Sequence, residues 1–120
     1  MSIIKNHEIR IYGLYLAMTN ETFSALALSF PGTVEQPHFD RRAFKVEKKR
    51  IFATLHESTH SANVKLSPLE QTVFCEFGNQ VYPVPNKWGE QGWTTIELPK
   101  MEEGLVLEIL QSAYDHVFKK

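Results

Sequence analysis

The sequence predicts a single α+β domain in which a mostly antiparallel sheet packs one face against helices. Three observations favour this fold class. Apolar residues recur at helical spacing in separate segments, central residues alternate with a period of two, and Gly and Pro punctuate the chain. A length of 120 residues with 42% hydrophobic content suits one compact core. We expect the domain to span residues 19–120, after a leader of residues 1–18 that is an edge strand, disordered or not native.

The first expected element is a helix that begins at Thr19 or Asn20, because either side chain is a good N-cap. Pro31-Gly32 ends it, since Pro cannot continue a helix and Gly allows the chain to leave in a left-handed conformation. Its apolar stripe consists of Phe23, Leu26, Ala27 and Phe30. This spacing of i, i+3, i+4 and i+7 predicts one buried face.

A β-hairpin and a third strand are expected to follow the first helix. From Phe39 the pattern alternates, and the apolar residues 51–55 provide a partner strand. The charged segment Glu47-Lys48-Lys49 between them becomes the tip of the hairpin. Residues 63–66 give the third strand, after a polar connection over residues 56–61.

The second half of the chain is expected to contain a helix, two strands and a final helix. Ser67-Pro68-Leu69-Glu70 combines an N-cap, Pro at the first helical position and Glu three residues after the cap. Residues 81–84 and 94–98 form strands on either side of a loop that contains Pro and Gly. The last helix begins between residues 100 and 103 and buries Val106, Ile109, Leu110, Ala113 and Val117. The predicted order is therefore helix, three strands, helix, two strands, helix.

Composition limits the classes of function. The 13 Lys and Arg residues nearly balance 14 Asp and Glu residues, so any basic surface for nucleic acid must be local. No apolar run is long enough to span a bilayer, so no membrane partner is expected. Cys75 is the only cysteine, which fits a reducing, cytoplasmic location, and its apolar neighbours predict an inert buried thiol. No phosphate-binding Gly-rich loop or dinucleotide fingerprint is present, so no cofactor is predicted.

One motif points to metal chemistry. His56-Glu57-Ser58-Thr59-His60 matches HExxH, in which two histidines one helical turn apart hold zinc and the glutamate activates water. That chemistry requires a helix, whereas the motif here follows a predicted strand and precedes another. We therefore interpret it as a polar connection and assign no metal ligand.

The strongest charge asymmetry lies in the predicted hairpin. Six of the 13 basic residues fall between residues 41 and 50, namely Arg41, Arg42, Lys45, Lys48, Lys49 and Arg50. They are candidates for phosphate contacts, and a solvated edge that resists sheet aggregation is the alternative.

Two further residues are weighed as site candidates. His38 is a candidate general base that the nearby Asp40 would orient, but no Ser or Cys nucleophile accompanies it in the sequence, so no catalytic residue is assigned. Trp88, in Trp88-Gly89-Glu90-Gln91-Gly92-Trp93, is a candidate for an exposed binding surface.

A series of short segments across residues 20–118 resembles the MmcQ/YjbR-like family. The segments are Leu28-Ser29-Phe30-Pro31-Gly32, Pro37-His38-Phe39 through Phe44-Lys45-Val46, residues 51–55, Asn63-Val64-Lys65-Leu66, Trp88-Gly89 with Gly92-Trp93-Thr94, and Ala113-Tyr114 in the last helix. The resemblance implies a fold similar to secretion chaperones and frataxin-like proteins. It also implies DNA binding through a double-wing arrangement.

Three hypotheses about function follow. The first is a non-enzymatic nucleic-acid-binding domain in which the basic hairpin residues contact phosphates and His38 or Trp88 contributes nearby. The second is a protein-interaction or chaperone-like module that uses the sheet face, its edges or the Trp88 loop, including as a homodimer. The third is a zinc-dependent hydrolase built on His56, Glu57 and His60.

Overall fold

A computed structural model describes residues 18–119 of the chain. The helices are α1 (Asn20–Leu28), α2 (Pro68–Phe74), the short α3 (Lys87–Glu90) and α4 (Glu103–Phe118). The strands are β1 (Thr33–His38), β2 (Arg41–Val46), β3 (Ile51–His56), β4 (Ser61–Lys65), β5 (Val81–Pro83) and β6 (Trp93–Glu97). Single 3-10 turns occupy Glu57–Thr59, Cys75–Phe77 and Leu98–Lys100.

The strands form one six-stranded sheet in the order β1-β2-β3-β4-β6-β5, and every neighbouring pair is antiparallel. Helices α1 and α4 pack on one face, where the core lies. Because side chains alternate along a strand, the residues between the core positions point to the other side. We call this second side the open face; it carries Arg41, Lys45, Thr54, Asn63 and Trp93. The predicted α+β class with an antiparallel sheet packed on helices is confirmed.

The signals that predicted the helices act as expected. Thr19 Oγ1 accepts a hydrogen bond from the Thr22 backbone N–H at 3.1 Å, which caps α1. Ser67 and Glu70 form a reciprocal capping box at the start of α2. The stripe predicted for the last helix, Val106, Ile109, Leu110, Ala113 and Val117, is buried along α4.

Two elements were missed, and the predicted boundaries of several strands differ from the observed ones, most clearly at the first strand of the hairpin. The sheet has an additional first strand, β1, so four strands separate α1 from α2. Four of its six residues are exposed and Pro37 lies within it, so this edge strand lacks the alternation that marks a half-buried strand. As a result Phe39 lies in the turn before β2, and β2 begins at Arg41. The loop between β5 and β6 contains the short helix α3.

An irregularity in β3 completes the aromatic core. Phe44 pairs with Ala53 but Lys45 pairs with Ile51, so Phe52 is the extra residue of a β-bulge. Its ring packs edge-on against Phe30 and Tyr114, at centroid distances of 6.4 and 5.7 Å. The bulge thereby joins the end of α1, the sheet and α4 in one cluster.

The leader predicted over residues 1–18 falls almost wholly outside the described residues. Met18, its last residue, is 4% exposed and belongs to the core. Between residues 18 and 119, no helix is both long enough and apolar enough to cross a bilayer.

Candidate binding cleft on the open face

A cleft of about 440 Å³ crosses the open face of the sheet. Side chains of β3, β4 and β6 form its floor, with Thr54, Asn63 and Trp93. The β1–β2 turn borders one side and the segment between β5 and β6 borders the other. The remaining lining residues are His38, Phe39, Asp40, Arg41, Val84, Asn86 and Trp88. Small-ligand sites have volumes of roughly 300 to 1,000 Å³, so the cleft is large enough for one.

Phe39 borders the cleft in a conformation that an aromatic residue seldom adopts. It lies in the two-residue turn between β1 and β2 with φ at 60°, and it is 94% exposed. Such turns favour Asn, Asp or Gly, because a bulky side chain in the left-handed region is strained. Its ring makes an edge contact with His38 at a centroid distance of 4.9 Å. Burial in the core therefore does not explain why Phe occupies this position.

Trp88, on the opposite border, is 56% exposed but held by a rigid segment. Asn86 Oδ1 accepts a hydrogen bond from the Trp88 backbone N–H at 2.8 Å. Gly89 lies so close to the backbone that a Cβ would sit 1.9 Å from the Val84 carbonyl oxygen. The buried Gln71 donates from Nε2 to the Gly89 carbonyl at 2.9 Å. These contacts fix the position from which the Trp88 side chain extends.

The polar floor of the cleft is rich in hydrogen-bond donors. Arg41 Nη1 donates to Thr54 Oγ1 at 3.4 Å, a long contact and the only side-chain hydrogen bond of Arg41 to residues 18–119. Asn63 Oδ1 accepts from Thr95 Oγ1 at 2.7 Å, which leaves its amide group as a donor. Asn86 likewise uses its oxygen for the Trp88 backbone and retains its amide N–H groups.

The HExxH residues connect to this cleft without forming a zinc site. His56 ends β3, Glu57 begins a 3-10 turn, and His60 adopts a left-handed conformation with φ at 53°. The prediction that strand and turn surround the motif is confirmed, and the helical geometry that the hydrolase hypothesis needs is absent here. His56 Nε2 lies 3.0 Å from Asp40 Oδ2, and Nδ1 lies 2.7 Å from Thr59 Oγ1. Across residues 18–119, no cluster of His, Cys, Asp and Glu could hold a metal ion.

Arg42 does not lie with the other candidate residues. Strand alternation places it on the helix face, where its guanidinium contacts Glu35 at 2.7 and 3.1 Å and Glu57 at 3.1 Å. It also donates to Ser24 Oγ on α1 at 2.7 Å. The hydrogen bond from Arg42 lowers the pKa of Glu35, and the same bond raises the pKa of Arg42 further. This network ties β1, β2 and α1 together.

The remaining candidates are divided between the cleft and the hairpin tip. His38, Arg41 and Trp88 line the cleft, and Lys45 follows Arg41 on the open face. The tip carries Lys48, Lys49 and Arg50, all exposed. Lys49 Nζ lies 5.7 Å from the centroid of the Phe118 ring on α4.

The predicted site omitted Phe39, Asn63 and Asn86 of the cleft. Strand alternation alone assigns Asn63 to the face opposite Val64, but nothing in the sequence indicates that Phe39 occupies a turn.

Cys75 is partly buried, and burial raises the pKa of its thiol, which disfavours the reactive thiolate.

Comparison with family models identifies the domain. The YjbR model matches residues 28–116, most of the described chain. The chain belongs to the YjbR family. Among solved structures, this YjbR domain is similar to protein DR2400 of Deinococcus radiodurans, which has a DUF419 domain. The TM-score is 0.68 at 20% sequence identity, over 82% of this chain and 77% of that chain. This likeness establishes the shared fold, and the resemblance inferred from the sequence is confirmed. Comparison of the chain with curated proteins found no match.

Proposed function

We propose that this YjbR domain is a non-enzymatic module that binds nucleic acid across the open face of its sheet. The cleft itself carries the proposal: Phe39 and Trp88 are exposed on opposite borders, and Arg41 also lines it. Exposed aromatic rings stack on bases, and base stacking supplies about 1 to 3 kcal/mol per base. An arginine beside such rings supports both base and phosphate contacts.

A basic track extends from the cleft along β2. We define the basic track as Arg41, Lys45, Lys48 and Arg50, from the cleft to the hairpin tip. Arg41 and Lys45 are four residues apart on one strand, which corresponds to roughly 13 Å. The acidic residues of the same segment are Asp40, paired with His56, and Glu47 at the tip. The track is therefore net positive on a chain of net charge −1, which suits a local phosphate-binding surface.

Fluorescence anisotropy with labelled DNA tests the proposal directly. The protein should bind DNA at low salt, and the affinity should fall with salt at a logarithmic slope near −3 for about four phosphate contacts to a single strand. The double charge reversal Lys48→Glu/Arg50→Glu should weaken binding and flatten this slope. Lys119→Glu, at an exposed position after α4, is the matched control and should bind normally. Absence of binding to any DNA at low salt would refute the proposal.

A protein-interaction module is the second candidate, and a different surface favours it. Leu69, Val73 and Phe77 recur every four residues along α2 and the following 3-10 turn, and they are 75%, 52% and 55% exposed. Exposed apolar residues in one row are typical of contact surfaces. Sedimentation velocity should reveal a concentration-dependent dimer that Val73→Glu abolishes. A monomer at all concentrations would count against the homodimer.

A further inference from the structure

We infer that the cleft holds one unpaired base of a single-stranded nucleic acid, and that its lining favours thymine or uracil. This inference rests on the proposed function and specifies the ligand of the same site. It makes single strands, rather than the duplex, the preferred partner.

The concave shape of the cleft argues for an unpaired base. Bases in a duplex are stacked on their neighbours and expose only their edges, so their faces cannot reach rings that border a concave site. Bases of a single strand are free to turn outward and stack on protein aromatics. Phe39 and Trp88 both line this cleft, and the floor between them carries polar side chains. Its volume of about 440 Å³ lies in the range of small-ligand sites.

The two aromatic residues are positioned in ways that folding alone does not require. Phe39 is held in a left-handed conformation while almost fully exposed. Strained conformations of this kind cluster at functional sites, where the surrounding structure enforces them. The Asp40–His56 contact ties this turn to the end of β3. Across the cleft, Gly89 and Gln71 restrain the Trp88 backbone. Restraint before binding lowers the entropy cost of stacking.

The donors and acceptors of the lining discriminate among bases. Arg41, Asn63 and Asn86 present N–H groups, and the carboxylate of Asp40 accepts hydrogen bonds. The Watson–Crick edge of thymine and uracil carries two keto oxygens with an N–H between them, which suits a lining that holds several donors and a carboxylate acceptor. On its Watson–Crick edge adenine instead presents one amino donor and one ring nitrogen acceptor, so fewer donors of the lining find partners on that edge. Unpaired donors in a partly buried site lower affinity.

Intrinsic fluorescence provides the assay, because both tryptophans of the chain, Trp88 and Trp93, line the cleft. Short oligo(dT), short oligo(dA) and the duplex formed from them are titrated at one low salt concentration. We expect oligo(dT) to change the tryptophan emission and to bind most tightly. Phe39→Gly should weaken oligo(dT) binding by about 5-fold to 100-fold, and Asn63→Ala should reduce the preference for oligo(dT) over oligo(dA). Leu107→Ala, at an exposed apolar residue of α4 outside the cleft, is the control and should bind oligo(dT) normally.

The outcomes separate this inference from the proposed function. Equal affinity for all three DNAs, with Phe39→Gly and Trp88→Phe unchanged, would overturn the unpaired-base site and leave DNA binding along the basic track intact. Failure of all three DNAs to bind would overturn both. Tighter binding of oligo(dA) than of oligo(dT) would contradict the assignment of thymine or uracil. Urea unfolding of each variant confirms that it is folded before its affinity is compared.

Discussion

Replacing Phe39 with glycine should weaken DNA binding while the free energy of unfolding changes little. In most proteins, removal of a large aromatic residue destabilises the fold, because buried surface is lost. Phe39 is 94% exposed, so this loss is nearly absent. Its φ of 60° lies where glycine is comfortable and phenylalanine is strained. The substitution therefore relieves strain in the folded state while it removes the ring that we place against a base.

The magnitude follows from three contributions. A left-handed conformation costs a side-chain-bearing residue about 1 to 2 kcal/mol. Glycine loses more backbone entropy on folding, which offsets about 0.5 to 1 kcal/mol of that gain. Loss of the edge contact with His38, at 4.9 Å, removes about 0.5 kcal/mol more. The free energy of unfolding should therefore change by between about −0.5 and +1 kcal/mol.

Urea unfolding followed by tryptophan fluorescence measures this change, and anisotropy measures binding by the same protein. His60→Gly is the matched control, because His60 is also exposed with a positive φ of 53° but lies outside the cleft. It should gain stability without losing affinity. Destabilisation of Phe39→Gly by more than about 1 kcal/mol would show that the ring has a structural role and would contradict a role in binding alone.

Three further predictions concern the framework around the cleft. Arg42→Gln should destabilise the fold by about 1 to 2 kcal/mol in urea unfolding but leave DNA affinity unchanged, because its guanidinium is engaged on the helix face. Because the hydrogen bond from Arg42 lowers the pKa of Glu35 in the folded state, the Glu35 carboxylate stabilises the fold at pH values above its ordinary pKa of 4.5. This contribution is lost as the pH falls from 4.5 through the lowered pKa, so Glu35→Gln should flatten the acid limb of the plot of stability against pH. Gly89→Ala should cost about 2 kcal/mol or more, because its Cβ would meet the Val84 carbonyl oxygen at 1.9 Å. Gly104→Ala in α4, where the nearest contact is 3.7 Å, should instead stabilise the fold by about 0.5 to 1 kcal/mol; equal effects at the two glycines would contradict the close approach at Gly89.

Local signals in the sequence were enough to predict the elements that are stabilised by capping residues or by one buried apolar stripe. The capping residues of Ser67-Pro68-Leu69-Glu70 and the apolar spacing of α4 belong to this class. β1 could not be predicted in the same way, because its stability comes from pairing with β2 while most of its side chains face solvent. An exposed edge strand carries little of the hydrophobic alternation that distinguishes strands from loops.

The candidate site was predictable only in part. Adjacent residues of a strand face opposite sides, so alternation by itself assigns Arg41 and Arg42 to different faces of the sheet. The cleft depends instead on pairing over long distances in the sequence, since β4 must pair with β6 to bring Asn63 near Trp93. Two-residue turns favour Asn, Asp or Gly, so the Phe at position 39 is not what the turn preference predicts. Sequence patterns predict such residues least well.

The most direct test of the proposed binding face is an amide-resolved NMR titration of the labelled protein with short oligo(dT). Binding in the cleft should change the chemical shifts of His38 through Arg41, of Asn63, and of the backbone and indole N–H groups of Trp88 and Trp93. Amides on the outer surface of α4 should be unaffected. Shifts confined to α1, α4 or the α2 surface, or no shifts at low salt, would contradict binding on the open face.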